Sequence, residues 1–227
     1  MVEAIAGDAV SVKSFIQATD IPHTFSPTPR LLDQVQKASL WIGIGEPYED
    51  RLHAFHVREL DLSKNVNLLN NDRHIWMSLR LVIPQVELIA QTLGELFPEH
   101  AFEFKTNANK YIRKLKALDT LVTGSLKQFN GQALLVSHPA FYYFCYDYHL
   151  LEIPLEHQGK DPLPRQTADI LQMAETTTFR CAFAVPQGSE KGIRLVAKQL
   201  GIPLYDFNPL APDYLQNMQQ LAQMIAQ

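Results

Sequence analysis

Three of the eight histidines in this 227-residue chain sit in settings that suit metal chemistry. His23 lies in "IPHTFSPTPR", Ile21 to Arg30, a ten-residue stretch with three prolines. Proline fixes φ, and the residue before each proline is pushed towards an extended form. Ile21, Ser26 and Thr28 all precede prolines, so the loop presents His23 from a stiff mount. His74 lies in "NNDRHIWMS", a turn ahead of an apolar helix. His138 follows the apolar run "ALLVS", and Pro139 opens the next helix. That is the carboxyl end of a parallel strand, where open α/β sheets place ligands. Three neutral imidazoles suit Zn2+. Residues 23, 74 and 138 are too far apart for a local metal motif. The residues alone therefore leave open a shared site or three separate capping and core histidines.

Other chemistries lack their parts. Ser137 and His138 are adjacent, and adjacent residues on a strand point to opposite faces. No G-x-S-x-G elbow and no H-E-x-x-H helix is present, and no glycine-rich phosphate loop. "FYYFCYDY" reads as a packed helix whose Tyr and Phe side chains exclude water. His53 and His56 read as solvated loop residues, and Cys145 and Cys181 as buried free thiols rather than ligands. The net charge of −4, without a long basic run, argues against nucleic acid as a partner. With 46% hydrophobic residues the chain can bury a core, yet no apolar run reaches the ~18 residues of a membrane span.

The elements that must position these histidines are clearest in the second half. "QALLV", "LLEIPL", "FRCAFAV" and "IPLYDF" read as strands. They alternate with helices over "PAFYYFCYDY", "PRQTADILQMAET", "SEKGIRLVAKQLG" and "APDYLQNMQQLAQMIA". In the last helix Leu215, Met218, Leu221 and Ile225 recur at helical spacing. Four strand-then-helix units predict a parallel sheet flanked by helices. In the first half, "MVEAIA" reads as the end of a helix stopped by Gly7, "AVSVKSFI" as a strand, "PRLLDQVQKA" as a helix and "SLWIGIG" as a strand. Thr28 should cap that helix, with Pro29 at its first position. A further helix is predicted from about Pro84 to Phe97. The helix at the N-terminus has no beginning, so the first strand of this half, and any signal segment with it, is expected to be missing.

Between the halves, Tyr111, Leu115, Leu118, Val122, Leu126 and Phe129 form one helical stripe. The pattern predicts a helix capped by Asn107 and ended by Gly131, about 23 residues and roughly 34 Å long. The expected architecture is α/β, with two lobes joined by a long rigid linker helix. An N-terminal lobe would cover 1–104, the linker helix 105–130 and a C-terminal lobe 131–227.

"IPHTFSPTP", "DRHIWMS" and "SHPAFYYFCYDY" resemble, in order and context, the "DPHTFEPTP", "DPHIWLDP" and "SHDAFGYFAKDYGL" motifs of the metal-specific solute-binding proteins of ABC importers. "GKDPLPRQTADI" and "FNPLAPDYLQNM" extend the resemblance over nearly the whole chain. It implies two α/β lobes with a metal site in the cleft, no catalysis, and His23, His74 and His138 as ligands. Asn208 stands where the family often carries an aspartate, so the fourth ligand is Asn208, nearby Asp206 or water. Ile21 and Arg73 replace usual motif residues, and Val185 stands where zinc members often carry glutamate. The resemblance implies an extracytoplasmic monomer of the bacterial periplasm or membrane face. It would capture Zn2+ and deliver it to the membrane permease of an ABC importer. Mn2+ is the alternative cargo, and a metal-dependent α/β enzyme is the alternative of another class. Manganese favours carboxylate oxygens, whereas this ligand set offers three nitrogens.

Overall fold

The structure is a computed structural model and describes residues 1–18, 20, 25–156, 164–186 and 190–227. His23 and His157 lie outside the described residues, as does most of the start of the proline loop. The chain forms two compact units: Met1–Ile75 with Arg80–Leu115, and Trp76–Leu79 with Lys116–Gln227.

The first unit opens with α1 (Val2–Ala6), ended by Gly7 at φ 56. The strand expected over "AVSVKSFI" does not form: the described residues there make bends and irregular chain. A strand needs a partner edge for its N–H and C=O groups, and here aromatic packing fixes the segment instead. The Phe15 ring lies edge-on to Trp41 at 4.9 Å and to Phe25 at 5.5 Å. Helix α2 (Pro29–Gln36) starts as anticipated, with the Leu31 N–H donating to Thr28 Oγ1 at 3.4 Å and Pro29 in the first turn. Strand β1 (Trp41–Gly43) pairs in parallel with β2 (Glu59–Asp61), a strand that the sequence pattern did not reveal.

Helix α3 (Leu79–Leu96) begins five residues before Pro84, which sits inside it. Proline favours the first helical position, hence the later start expected from sequence. Val82, Val86 and Ile89 are fully buried, and their packing outweighs the hydrogen bond that Pro84 forfeits. Helix α4 (Ala101–Leu126) has 26 residues and is about 39 Å long. One 3-10 turn, Lys127–Phe129, follows it. Asn107 is not its cap. That residue lies inside the helix, and its amide donates to the Ile5 carbonyl at 3.1 Å. The predicted stripe from Tyr111 to Phe129 is buried throughout. Helix α4 runs from the first unit into the second.

The second unit holds a four-stranded sheet of β3 (Ala133–Val136), β4 (Leu151–Pro154), β5 (Phe179–Ala184) and β6 (Leu204–Asp206). Its order is β4-β3-β5-β6 and every pair is parallel. The intervening helices are α5 (Tyr142–Asp147), α6 (Pro164–Met173), α7 (Glu190–Leu200) and α8 (Tyr214–Ala226). Ile170 of α6 and Ile193, Val196 and Ala197 of α7 pack with Ala133, Leu135 and Ala182 of the sheet. Successive strand residues face opposite ways, and Phe183 meets Phe141 at 5.3 Å and Phe207 at 6.1 Å. Burial on both faces explains why β3 and β5 read as near-unbroken apolar runs, whereas the outer strands β4 and β6 are partly exposed. Cys145 and Cys181 are buried free thiols. Among the described residues no helix is long and apolar enough to cross a membrane.

Candidate metal centre

His74 sits in a turn made by two asparagines. Asn70 and Asn71 take left-handed φ values of 53 and 57, a conformation that asparagine tolerates better than most side chains. The chain then folds back on Asp72. Asp72 Oδ1 accepts the His74 N–H at 2.9 Å and lies 2.6 Å from His74 Nδ1. His74 is 9% exposed. A carboxylate on Nδ1 is the arrangement that orients a histidine for coordination through Nε2.

His138 is placed by the sheet. Ser137, fully buried, donates its N–H to the Phe183 carbonyl at 3.0 Å and accepts the Val185 N–H on Oγ at 2.9 Å. This ties the end of β3 to the end of β5. His138 follows, 6% exposed, with Nδ1 3.5 Å from Glu156 Oε2. Glu156 lies just beyond β4 and is 7% exposed. The Leu155 N–H donating to the Val136 carbonyl at 2.8 Å brings the two strand ends together. At 3.5 Å, His138 Nδ1 and Glu156 Oε2 do not form a hydrogen bond to each other.

The other candidates differ in their settings. Asn208 follows β6 and is half-buried. Its Oδ1 accepts the Leu210 N–H at 2.9 Å, and its carbonyl accepts Asn217 Nδ2 at 2.9 Å. The Asp206 side chain is 80% exposed and lies 3.4 Å from Arg194 of α7. Val185 is buried. His53 is exposed, 3.1 Å from Glu59, and His56 is exposed at a left-handed helix end, so both are surface residues as expected.

Among the described residues no three His, Cys, Asp or Glu side chains converge as a metal-binding group. Within the first unit His74 is hydrogen-bonded to Asp72, and within the second His138 lies beside Glu156. Metal-ligating histidines characteristically carry such a carboxylate on the far ring nitrogen, which fixes the tautomer and raises ligand basicity. Asp72 and Glu156 were missed from sequence. Asp72 was legible as an acidic residue two before a histidine, the spacing of an Asx turn. Glu156 had no local signal, because strand register alone carries it to His138. The cysteines offer no alternative ligand: burial pushes the Cys181 thiol up to about 12 and that of Cys145 well above its usual range, keeping both protonated.

A family model described as ZnuA, the periplasmic component A of a zinc-uptake complex, matches residues 1–227. A Chlamydia muridarum protein named only for metal binding is 26% identical over 238 residues, covering 100% of this chain and 86% of the relative. The zinc-binding lipoprotein AdcA of Streptococcus pneumoniae is 24% identical over 234 residues, covering 91% of this chain and 47% of AdcA. The crystal structure of a ZnuA superimposes with a TM-score of 0.92 at 28% identity, covering 99% of this chain and 92% of that one. The α/β fold with helix-flanked parallel sheets is thus the fold of that protein. This chain belongs to the ZnuA family of metal-binding solute-binding proteins, which are not enzymes.

Proposed function

We propose that this chain captures Zn2+ outside the cytoplasm and delivers it to the membrane permease of an ABC importer. His23, His74 and His138 are the ligands in this reading. The observation that carries it is the pair of buried histidines, His74 with Nδ1 2.6 Å from Asp72 and His138 with Nδ1 3.5 Å from Glu156. The zinc-uptake description of the family and the zinc-binding name of AdcA support the choice of cargo and of an importer as partner. Three imidazole nitrogens favour zinc over manganese, which prefers carboxylate oxygens. For the fourth position, half-burial supports Asn208, whereas Asp206 is exposed and held by Arg194.

The test is a thermal melt with elemental analysis of the purified protein. A ligand at 100 times its dissociation constant adds about 2.7 kcal/mol. For a chain of this size that raises Tm by about 5–10 °C. Saturating zinc should produce that shift, calcium should not, and His74→Ala or His138→Ala should abolish it. A zinc shift no larger than that of calcium sinks the proposal.

A further inference from the structure

Arg73 stands directly before His74, at the place where the motif "DPHIWLDP" carries proline. Its side chain turns back to the two short strands of the first unit. Arg73 Nη1 donates to the Ile44 carbonyl at 2.9 Å and to Ser63 Oγ at 3.3 Å. Ser63 Oγ in turn donates at 2.7 Å to Asp61 Oδ1, at the end of β2. Ile44 follows β1, and its own N–H is held by Glu49 at 3.2 Å. The guanidinium thus bridges the chain just beyond β1 to the chain just beyond β2. Gly45, at φ 76, leaves the space for it, since a Cβ there would overlap Arg73 Nη1. All of these residues belong to the first unit.

We infer that Arg73 is a positioning residue for zinc binding: its side chain clamps the His74 turn where proline would stiffen it through φ. The inference rests on the zinc-receptor reading above, in which His74 is a ligand. Asp72 has φ −70 and ψ 130, the extended form into which a residue before proline is pushed. The turn therefore has the backbone of a proline turn without the stiff residue itself. With arginine at position 73, φ is no longer fixed by a ring. The bonds to Ile44 and Ser63 supply the missing restraint, holding the neighbour of His74 against the ends of β1 and β2. A ligand ring held in place before the ion arrives has less freedom to lose on binding. The guanidinium charge works the other way, because a cation next to a ligand residue repels Zn2+. The sign of a substitution's effect on zinc affinity thus separates positioning from charge.

The experiment measures zinc affinity by competition with a chelating dye. It also follows hydrogen exchange of the His74 amide, which donates to Asp72 Oδ1, in the metal-free protein. The variants are Arg73→Ala, Arg73→Pro and His74→Ala. Arg73→Ala removes the clamp and should weaken zinc about five- to tenfold, the equivalent of one hydrogen bond, while speeding exchange of the His74 amide. Arg73→Pro restores stiffness through φ and should return both readouts to near the parent values. Parent affinity in Arg73→Ala overturns the positioning role; the receptor reading then stands if His74→Ala has lost zinc. Tighter zinc in both Arg73→Ala and Arg73→Pro shows that the guanidinium acts by its charge, and overturns the role as well. If Arg73→Pro fails to fold, or binds no better than Arg73→Ala, clamp and proline are not interchangeable and the inference is overturned. Zinc bound by His74→Ala as tightly as by the parent overturns the receptor reading and the positioning role with it.

Discussion

The two units stabilise their polypeptide by different means. The second is a sheet protein in the ordinary sense: β3 is fully buried along its length, and Phe141, Phe183 and Phe207 fill the space beside it. Among the described residues the first has a single pair of three-residue strands, and polar groups do much of the organising there. Glu49, 2% exposed, accepts the N–H groups of Ile44 at 3.2 Å and Gly45 at 3.0 Å. Burial raises its carboxyl above the usual range, against the pull of those N–H groups. The Phe15, Phe25, Trp41 and Tyr48 rings pack around a chain that never becomes a strand. The lesson is that two halves of one family fold tolerate different perturbations, apolar truncation in one and loss of local hydrogen bonding in the other.

The largest expected effect is in the second unit. Phe183→Ala removes a fully buried ring and should cost about 3–5 kcal/mol in urea unfolding. Phe15→Ala, at a half-buried ring of the first unit, should cost only about 1 kcal/mol, since much less area returns to water. Equal losses at the two sites would erase the contrast.

A methyl group at Gly43 tests the first unit. Its Cβ would overlap the Glu49 carboxylate, which the Ile44 and Gly45 N–H groups hold in place. Gly43→Ala should therefore cost about 1–3 kcal/mol by expelling that carboxylate and leaving buried donors unsatisfied. The raised Glu49 value adds a sign. The folded state holds this proton more tightly than the unfolded one. Its contribution is therefore fully present below the unfolded value near pH ~4.3 and is lost as pH rises through the raised folded value. Urea melts of Glu49→Gln from pH 4 to 7 should lack that decline. A melt of Gly43→Ala matching the parent would show that the carboxylate holds nothing.

The smallest effect separates the units chemically. Both cysteines lie in the second unit, and Cys181 keeps its proton up to about pH 12. Unfolded thiols ionise near pH ~8.5, so this group's stabilising share is present below that pH and is lost as pH climbs from there towards 12. At pH 8 a thiol reagent should label neither cysteine until urea opens the second unit. Prompt labelling of the native protein would contradict the burial of both.

Periodicity alone determined the second unit and the buried stripe of α4, because an element buried on a continuous face must repeat its apolar residues at its own period. Motif context singled out His74 and His138, and proline spacing anticipated the Thr28 cap. Tertiary structure decided the rest, wherever a residue's role depends on a partner distant in sequence. "AVSVKSFI" alternates like a strand but found aromatic rings instead of an edge. Asn107 looked like a cap and instead closes the Ile5 carbonyl. Pro84 looked like a helix start and is carried inside α3 by the packing of Val82, Val86 and Ile89. The carboxylate beside His138 comes from the next strand, and the tryptophan after His74 is anchored at Pro209. A sequence records which groups are available; which acceptor a buried donor reaches is settled only when burial removes water as the alternative partner.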